Sequence, residues 1–251
     1  MNPLASKESS LVRLVTRREM LGFMRTATAV MIFGCRHNRS GALPAAAVAA
    51  AGPACIVRPE QTEGPYFIDE KLNRSDIRSE PSDNSIKLGV PLRVVFQVSR
   101  IDGRSCKPLN GAVVDIWHCD ALGVYSDVRD AGFDTRGKKF LRGYQVTNPN
   151  GIAEFLTIYP GWYQGRAVHI HFKIRANSST RQSFESTSQF YFDESITDQI
   201  HKQPPYDGKG HRTTTNEKDF IFRQGGKQLI PALTKDVEGY LAKFEIGLQM
   251  T

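Results

Sequence analysis

An apolar run long enough to cross a membrane is missing from this 251-residue chain. The most apolar N-terminal stretch ends near Gly34 and is broken by Arg25, short of the roughly 20 apolar residues that a spanning helix needs. Basic runs with interleaved aromatics are missing as well. The formal net charge is +7, but residues 1–51 hold seven Lys/Arg and two Asp/Glu; taking these from 33 and 26 leaves 26 bases against 24 acids. So even a balance argues against a nucleic-acid partner. Cysteine is scarce, four in all, and none has the Cys-x-x-Cys spacing of a zinc site. Internal repeats, a second domain and all but one short helix signal are absent too.

The surplus charge belongs to a distinct N-terminal segment. Thr16-Arg17-Arg18-Glu19-Met20-Leu21 looks like a twin-arginine export signal, which predicts a periplasmic or extracellular protein. Ile32-Phe33-Gly34-Cys35 resembles a lipoprotein cleavage box with Cys35 as a candidate lipid anchor; cleavage in the small-residue run Ala45 to Ala51 is the favoured alternative. Residues 1–51 are thus read as export signal and Ala/Pro-rich linker, and 52–251 as one folded domain. That domain keeps Cys55, Cys106 and Cys119, in an oxidising compartment. Cys106 and Cys119 flank one strand and stand tens of ångströms apart at about 3.3 Å per residue. A disulfide would then join Cys55 to one of them.

The folded part reads as strands and turns. Leu92, Val94, Phe96 and Val98 alternate with Arg93, Val95 and Gln97, the pattern of a half-buried strand over Pro91 to Ser99. Ala112 to His118 is the next strand. Phe140 to Val146 and Ile152 to Ile158 flank Asn148-Pro149-Asn150-Gly151, which predicts a hairpin. Val128 to Lys139 and Arg175 to Ser186 read as polar surface loops, and Thr187 to Phe192 as a strand. Ser195 to His201 reads as one short helix capped by Ser195. Lys227 to Thr234 and Tyr240 to Met250 are the last strands. Many short strands with frequent turns predict an all-β antiparallel β-sandwich with long loops.

Chemistry concentrates in Tyr159-Pro160-Gly161-Trp162-Tyr163-Gln164-Gly165-Arg166-Ala167-Val168-His169-Ile170-His171-Phe172. In a strand from Val168 to Ile174, His169 and His171 share one face, close enough to share a metal, while Val168, Ile170 and Phe172 face the core. Pro160-Gly161 brings Tyr163 to the same end of that strand. Two imidazoles and a phenol suit a hard, oxidised metal such as ferric iron. A His-x-His pair by itself is equally often an ordinary surface or core pair. A cupin-like metal enzyme also uses His-x-His but wants a carboxylate or a third histidine, and a non-catalytic β-sandwich binding module would leave the tyrosines and histidines unexplained. His118 reads as structural, and His201 and His211 lack ligand spacing.

Taken together, Pro160-Gly161-Trp162-Tyr163, Arg166 and His169-Ile170-His171-Phe172 resemble the iron-binding segment of the intradiol ring-cleavage dioxygenases. Gly111 to Ser126 resembles that family's signature region, with Tyr125 matching the remaining ligand. The resemblance runs from about Glu60 to the C-terminus. It implies one non-haem Fe(III) per chain, held by Tyr125, Tyr163, His169 and His171. It implies cleavage of a catechol by O2 to a cis,cis-muconate-type diacid, with Tyr163 as the tyrosinate that leaves the metal when substrate chelates. Arg166 matches a family arginine beside the ring and Gln189 a glutamine with similar electrostatic work. Gly64, Pro65 and Tyr66 match a substrate-lining segment, and Trp117 a pocket tryptophan. The chain has no room for the N-terminal helical dimerisation domain of the catechol-specific enzymes, which leaves homo-oligomerisation open and makes the protocatechuate type the closer analogy. No carboxylate-binding patch is evident.

Overall fold

The structure is a computed structural model in which residues 56–177 and 183–250 are described. The twin-arginine motif, Cys35, the Ala/Pro-rich linker and Cys55 lie outside them. No helix among the described residues is long and apolar enough to cross a membrane.

Two sheets carry the fold. The first is built on β1 (Pro91–Asp102), whose Leu92, Val94, Phe96 and Val98 are buried while Arg93 is exposed. Alternation puts every second side chain on the core face, as the sequence predicts. On one edge β1 meets β2 (Ser105–Pro108) and β7 (Ile152–Ile158), both antiparallel. On the other it meets β11 (Tyr240–Gln249), which forms a hairpin with β10 (Ala232–Lys235). The second sheet has the order β6 (Arg142–Val146), β3 (Val113–Trp117), β8 (His169–Asn177), β9 (Ser183–Tyr191). β4 (Arg129–Asp130) and β5 (Phe133–Asp134) make a small ribbon within what reads as a surface loop. Rings from both sheets meet between them: Phe96 stands 5.4 Å from Phe172, 6.1 Å from Phe190 and 5.7 Å from Phe244, centroid to centroid. Each such fully buried ring contributes about 1.5–3 kcal/mol of transfer free energy.

Several local expectations are corrected. β1 and β11 run parallel, with Leu92 opposite Tyr240 and Ile101 opposite Gln249, so the sandwich is not wholly antiparallel. Side-chain alternation has the same period in both directions and carries no strand polarity. β6 and β7 form no hairpin: β6 pairs with β3 and β7 with β1. The turn between them is real, since the Asn148 side chain accepts from Asn150 N and Ile152 N. It carries the chain from one sheet to the other, because turn chemistry fixes a reversal and not the neighbour each strand finds. β8 and β9 pair out to Asn177–Ser183, well into the expected polar loop. Helix α1 (Glu194–Ile200) is capped by Asp193, whose carboxylate accepts from Ser195 N and Ile196 N, rather than by Ser195. Lys227 lies in a 3-10 turn, and the expected strand there starts only at Ala232. Cys106 is disulfide-bonded, whereas Cys119 is free and buried.

Candidate metal centre

The centre is laid out by sheet register. Arg142, Trp117, His171 and Gln189 stand opposite one another across β6, β3, β8 and β9, and His169 stands opposite Tyr191. Residues directly opposite in paired strands project to one face, so one face of the sheet presents both imidazoles, an indole, an amide and a guanidinium. Ile170, Phe172 and Ile174 project into the core between the sheets. His169 and His171 are each only 2 % exposed, with their Nε2 atoms 3.0 Å apart. The Nδ1–H of His169 donates to Ala167 O at 2.7 Å, which leaves its Nε2 as the lone-pair nitrogen. The Trp117 indole stacks on His171, centroids 5.0 Å apart and planes 8° from parallel.

Two loops bring the phenols. Tyr163 follows the Pro160-Gly161 turn, and its Oη lies 3.2 Å from His169 Nε2. A Cβ on Gly161 would stand 2.3 Å from the Ala121 carbonyl oxygen, so only glycine lets this segment lie against the loop that carries Tyr125. The Tyr125 ring is 5.7 Å from Tyr163 and 6.3 Å from His171. Its buried hydroxyl has no hydrogen-bond partner. Gly64 approaches from a third direction in a left-handed conformation (φ 72°), where a Cβ would be 3.3 Å from the His171 ring.

Burial governs the electrostatics. It lowers the pKa of both histidines well below the ordinary imidazole value, with Arg166 adding to the effect, so both rings are neutral Lewis bases at neutral pH. Burial likewise pushes the Tyr125 and Tyr163 phenols above their ordinary value. Without a cation the phenols stay protonated; a metal ion would invert that preference.

The four expected ligands therefore converge, and Arg166 and Gln189 join them. Arg166 holds its Nε 2.9 Å from Asp219 Oδ2 and its Nη1 3.4 Å from His169 Nε2. Its Nη2 donates to Gln189 Oε1, while Gln189 Nε2 donates to Thr62 O at 2.8 Å. A cavity of about 510 Å³ opens over Tyr66, Tyr125 and Tyr163 and is also lined by Phe133, Asp130 and Lys209. Tyr66 donates to Asp130, and burial together with that bond raises its pKa to about 12. Pro65 is exposed, and Trp117, behind His171, is 2 % exposed and does not line this cavity. His118 is structural, as expected: its ring bonds Cys119 O at 2.8 Å and Thr157 Oγ1 at 2.7 Å.

Sequence reasoning missed Arg142, Asp219 and Lys209. Arg142 ties the site's loops together by donating to Tyr66 O and to Ser126 O. Asp219 and Lys209 come from distant, loop-like sequence that carries no local signal for either.

A metal ion fits these residues. Imidazole nitrogens about 2.1 Å from one ion and at right angles to each other would be about 3.0 Å apart, the spacing seen here. A ring-to-ring hydrogen bond alone would leave the Tyr125 hydroxyl buried and unpartnered, at a cost of about 1–3 kcal/mol. Among the described residues no group of three or more His, Cys, Asp or Glu is placed to hold a metal. The cupin-like ligand set thus finds no support there, and two imidazoles with two phenols remain, a set suited to ferric iron.

Comparison with known proteins points the same way. A family model described as "Dioxygenase" matches residues 62–218. The chain is 29% identical over 148 residues to chlorocatechol 1,2-dioxygenase of Pseudomonas sp. (strain P51), covering 52% of this chain and 54% of that protein. It spans about half the length of the curated relatives it matches. Among solved structures, an intradiol ring-cleavage dioxygenase from Tetranychus urticae superposes with a TM-score of 0.65 at 34% identity, covering 78% of this chain and 95% of that one. The dioxygenase domain of a dioxygenase carbohydrate-binding protein fusion from Streptomyces sp. SirexAA-E gives 0.55 at 28% identity, covering 78% and 100%.

Proposed function

The chain belongs to the intradiol ring-cleavage dioxygenase family, and on that footing we propose that it opens a catechol-type ring between its two hydroxyl-bearing carbons. Both atoms of O2 enter the product, a cis,cis-muconate-type dicarboxylic acid, so atoms balance without an added reductant. The observation that carries this reading is the convergence of Tyr125, Tyr163, His169 and His171 beside a cavity that the two phenols line. One ferric ion held by these four side chains would supply the Lewis acidity that favours the catechol dianion and its reaction with O2.

The remaining work falls to the chain's own groups. Tyr163 lines the cavity from a turn between two glycines, and its Oη is the atom placed to take up a proton from a catechol hydroxyl. Arg166, always cationic, stabilises negative charge as it develops on the ring. Gln189 fixes the guanidinium plane from the other side. Tyr66 and Phe133 give the ring an aromatic wall. At the mouth, Lys209 donates to Leu122 O and stands 5.0 Å from the Trp162 ring centre, with no carboxylate partner among the described residues. Its charge favours catechols whose substituent is anionic or strongly electron-rich.

Oxygen uptake by the purified, iron-loaded protein across plain, alkyl-, chloro- and carboxy-catechols tests the proposal, with the ring-opening position identified for each. Intradiol products are expected. Cleavage beside the diol, or no uptake by a protein that holds iron, would sink it. Export rests on residues 1–51 alone; fusing them to a reporter that is active only outside the cytoplasm, with Arg17-Arg18→Lys-Lys as control, tests it.

A further inference from the structure

The site's electrostatics draw on a residue outside the matched family range. Asp219, one position beyond it, follows a 3-10 turn (Asn216–Lys218) and is fully buried. Its Oδ1 accepts from Ile221 N at 2.7 Å and Phe222 N at 3.2 Å. Its Oδ2 accepts from Ala167 N at 2.8 Å and Arg166 Nε at 2.9 Å. Three of these four donors are backbone groups that cannot rotate, so the carboxylate is fixed and the guanidinium bonded to it inherits the fixed direction. Arg166 is pinned at its far end by Gln189, whose Oε1 also lies 3.2 Å from Tyr191 Oη. Tyr191 donates to Gln61 at 2.7 Å, and Gln61 Nε2 donates to Ile221 O at 2.9 Å. These polar contacts run in a closed circuit from the Asp219 turn through Arg166, Gln189, Tyr191 and Gln61 back to the same turn.

We propose that Asp219 is the positioning residue for Arg166: its buried carboxylate aims the guanidinium at the His169 Nε2 edge of the centre, and the arginine's contribution to turnover depends on it. The proposal rests on the dioxygenase reading and adds a residue to it. Two physical needs converge on a carboxylate here. Both oxygens face N–H donors, so an amide in its place would set its own N–H group against two of them. An unpaired guanidinium beside a ferric ion would also repel it; ion pairing with Asp219 compensates that charge while the Nη1 edge stays directed at the centre. The backbone bonds alone would make Asp219 a turn residue. Its grip on Arg166 Nε makes it part of the site.

A double-mutant cycle in kcat separates the two roles. Asp219→Asn is expected to lower kcat by about 10–100-fold, as loss of aim does, with KM changed less than threefold and the visible charge-transfer band kept. In the Arg166→Ala background the same change should cost no more than twofold, because the group it positions is gone. An equal loss in both backgrounds would overturn the proposal and leave Asp219 a fold residue. If Asp219→Asn does not fold, Asp219→Glu carries the same cycle with partial recovery expected, and equal losses in its two backgrounds overturn the proposal in the same way. A readout independent of turnover is the Arg166 Nε–H resonance of the iron-free protein. Slow exchange is expected in the wild type and fast exchange in the Asp219 variant; no difference refutes the coupling. Wild-type protein without catechol-dependent uptake would instead sink the activity, and the resonance would still report on the pair.

Discussion

The two faces of the β6–β3–β8–β9 sheet come from the same strands and are buried almost equally, yet they hold opposite kinds of side chain. The inner face carries Ile116, Ile170, Phe172, Ile174 and Phe190, all at most 1 % exposed. The outer face carries Arg142, Trp117, His169, His171 and Gln189, none above 2 %. Burial on the inner face is favourable in proportion to apolar area. On the outer face each polar atom needs a partner or costs stability. Most find one; the Tyr125 hydroxyl, Trp117 Nε1 and His171 Nδ1 do not. The inner face holds the molecule together, and the outer face spends part of that stability on a site beside which the Tyr125 hydroxyl is buried without a partner.

The sharpest way to break this contrast is to empty the outer face. His169→Ala with His171→Ala should abolish iron binding, colour and at least about 10³-fold of turnover, while unfolding of the iron-free protein shifts by less than a core truncation would shift it. Full iron occupancy by elemental analysis would refute the ligand assignment. The reciprocal change on the inner face, Phe172→Ala, should cost about 3–5 kcal/mol by denaturant unfolding, with iron per folded molecule retained. A loss below about 1 kcal/mol would mean that the ring cluster is loosely packed.

His118 is the polar exception inside the sandwich, bridging to Thr157 of the other sheet. Burial lowers its pKa to about 4 against the opposing pull of the Cys119 carbonyl and Asp120. The folded imidazole is therefore neutral where the unfolded one takes a proton near pH 6.5. Unfolded chains bind the extra proton between about pH 6.5 and 4, so stability falls as pH falls through that window, by up to about 3 kcal/mol. His169 and His171 act with the same sign, so the comparison is with His118→Asn, whose pH slope should be shallower by one proton; equal slopes would place a charged imidazole in the fold. The mildest change, Tyr163→Phe, should keep iron, shift the visible band and slow turnover about 10²-fold. An unaltered spectrum would remove Tyr163 from the metal.

How much was legible follows from the range of each signal. Strand identity and face are short-range: His169 and His171 two residues apart, with Ile170 and Phe172 between them, define their own sidedness. The Asp193 cap was missed because Ser195 offers the same chemistry two residues on, and the turn geometry chose between them. Arg142 sits opposite Trp117 only through a register that no local pattern encodes. Asp219 reaches Arg166 across 53 positions, and nothing near either residue points to the other. The Asn148–Gly151 turn was recognised for what it is locally, while its strands belong to different sheets.

By itself the sequence determined which residues line each face and which donors could serve a metal, because alternation and turn chemistry act within a few bonds along the chain. Tertiary structure alone decided strand polarity between β1 and β11, the partners of β6 and β7, and the circuit that aims Arg166. Those depend on which surfaces win in packing, a competition among segments far apart in sequence whose outcome no single segment contains.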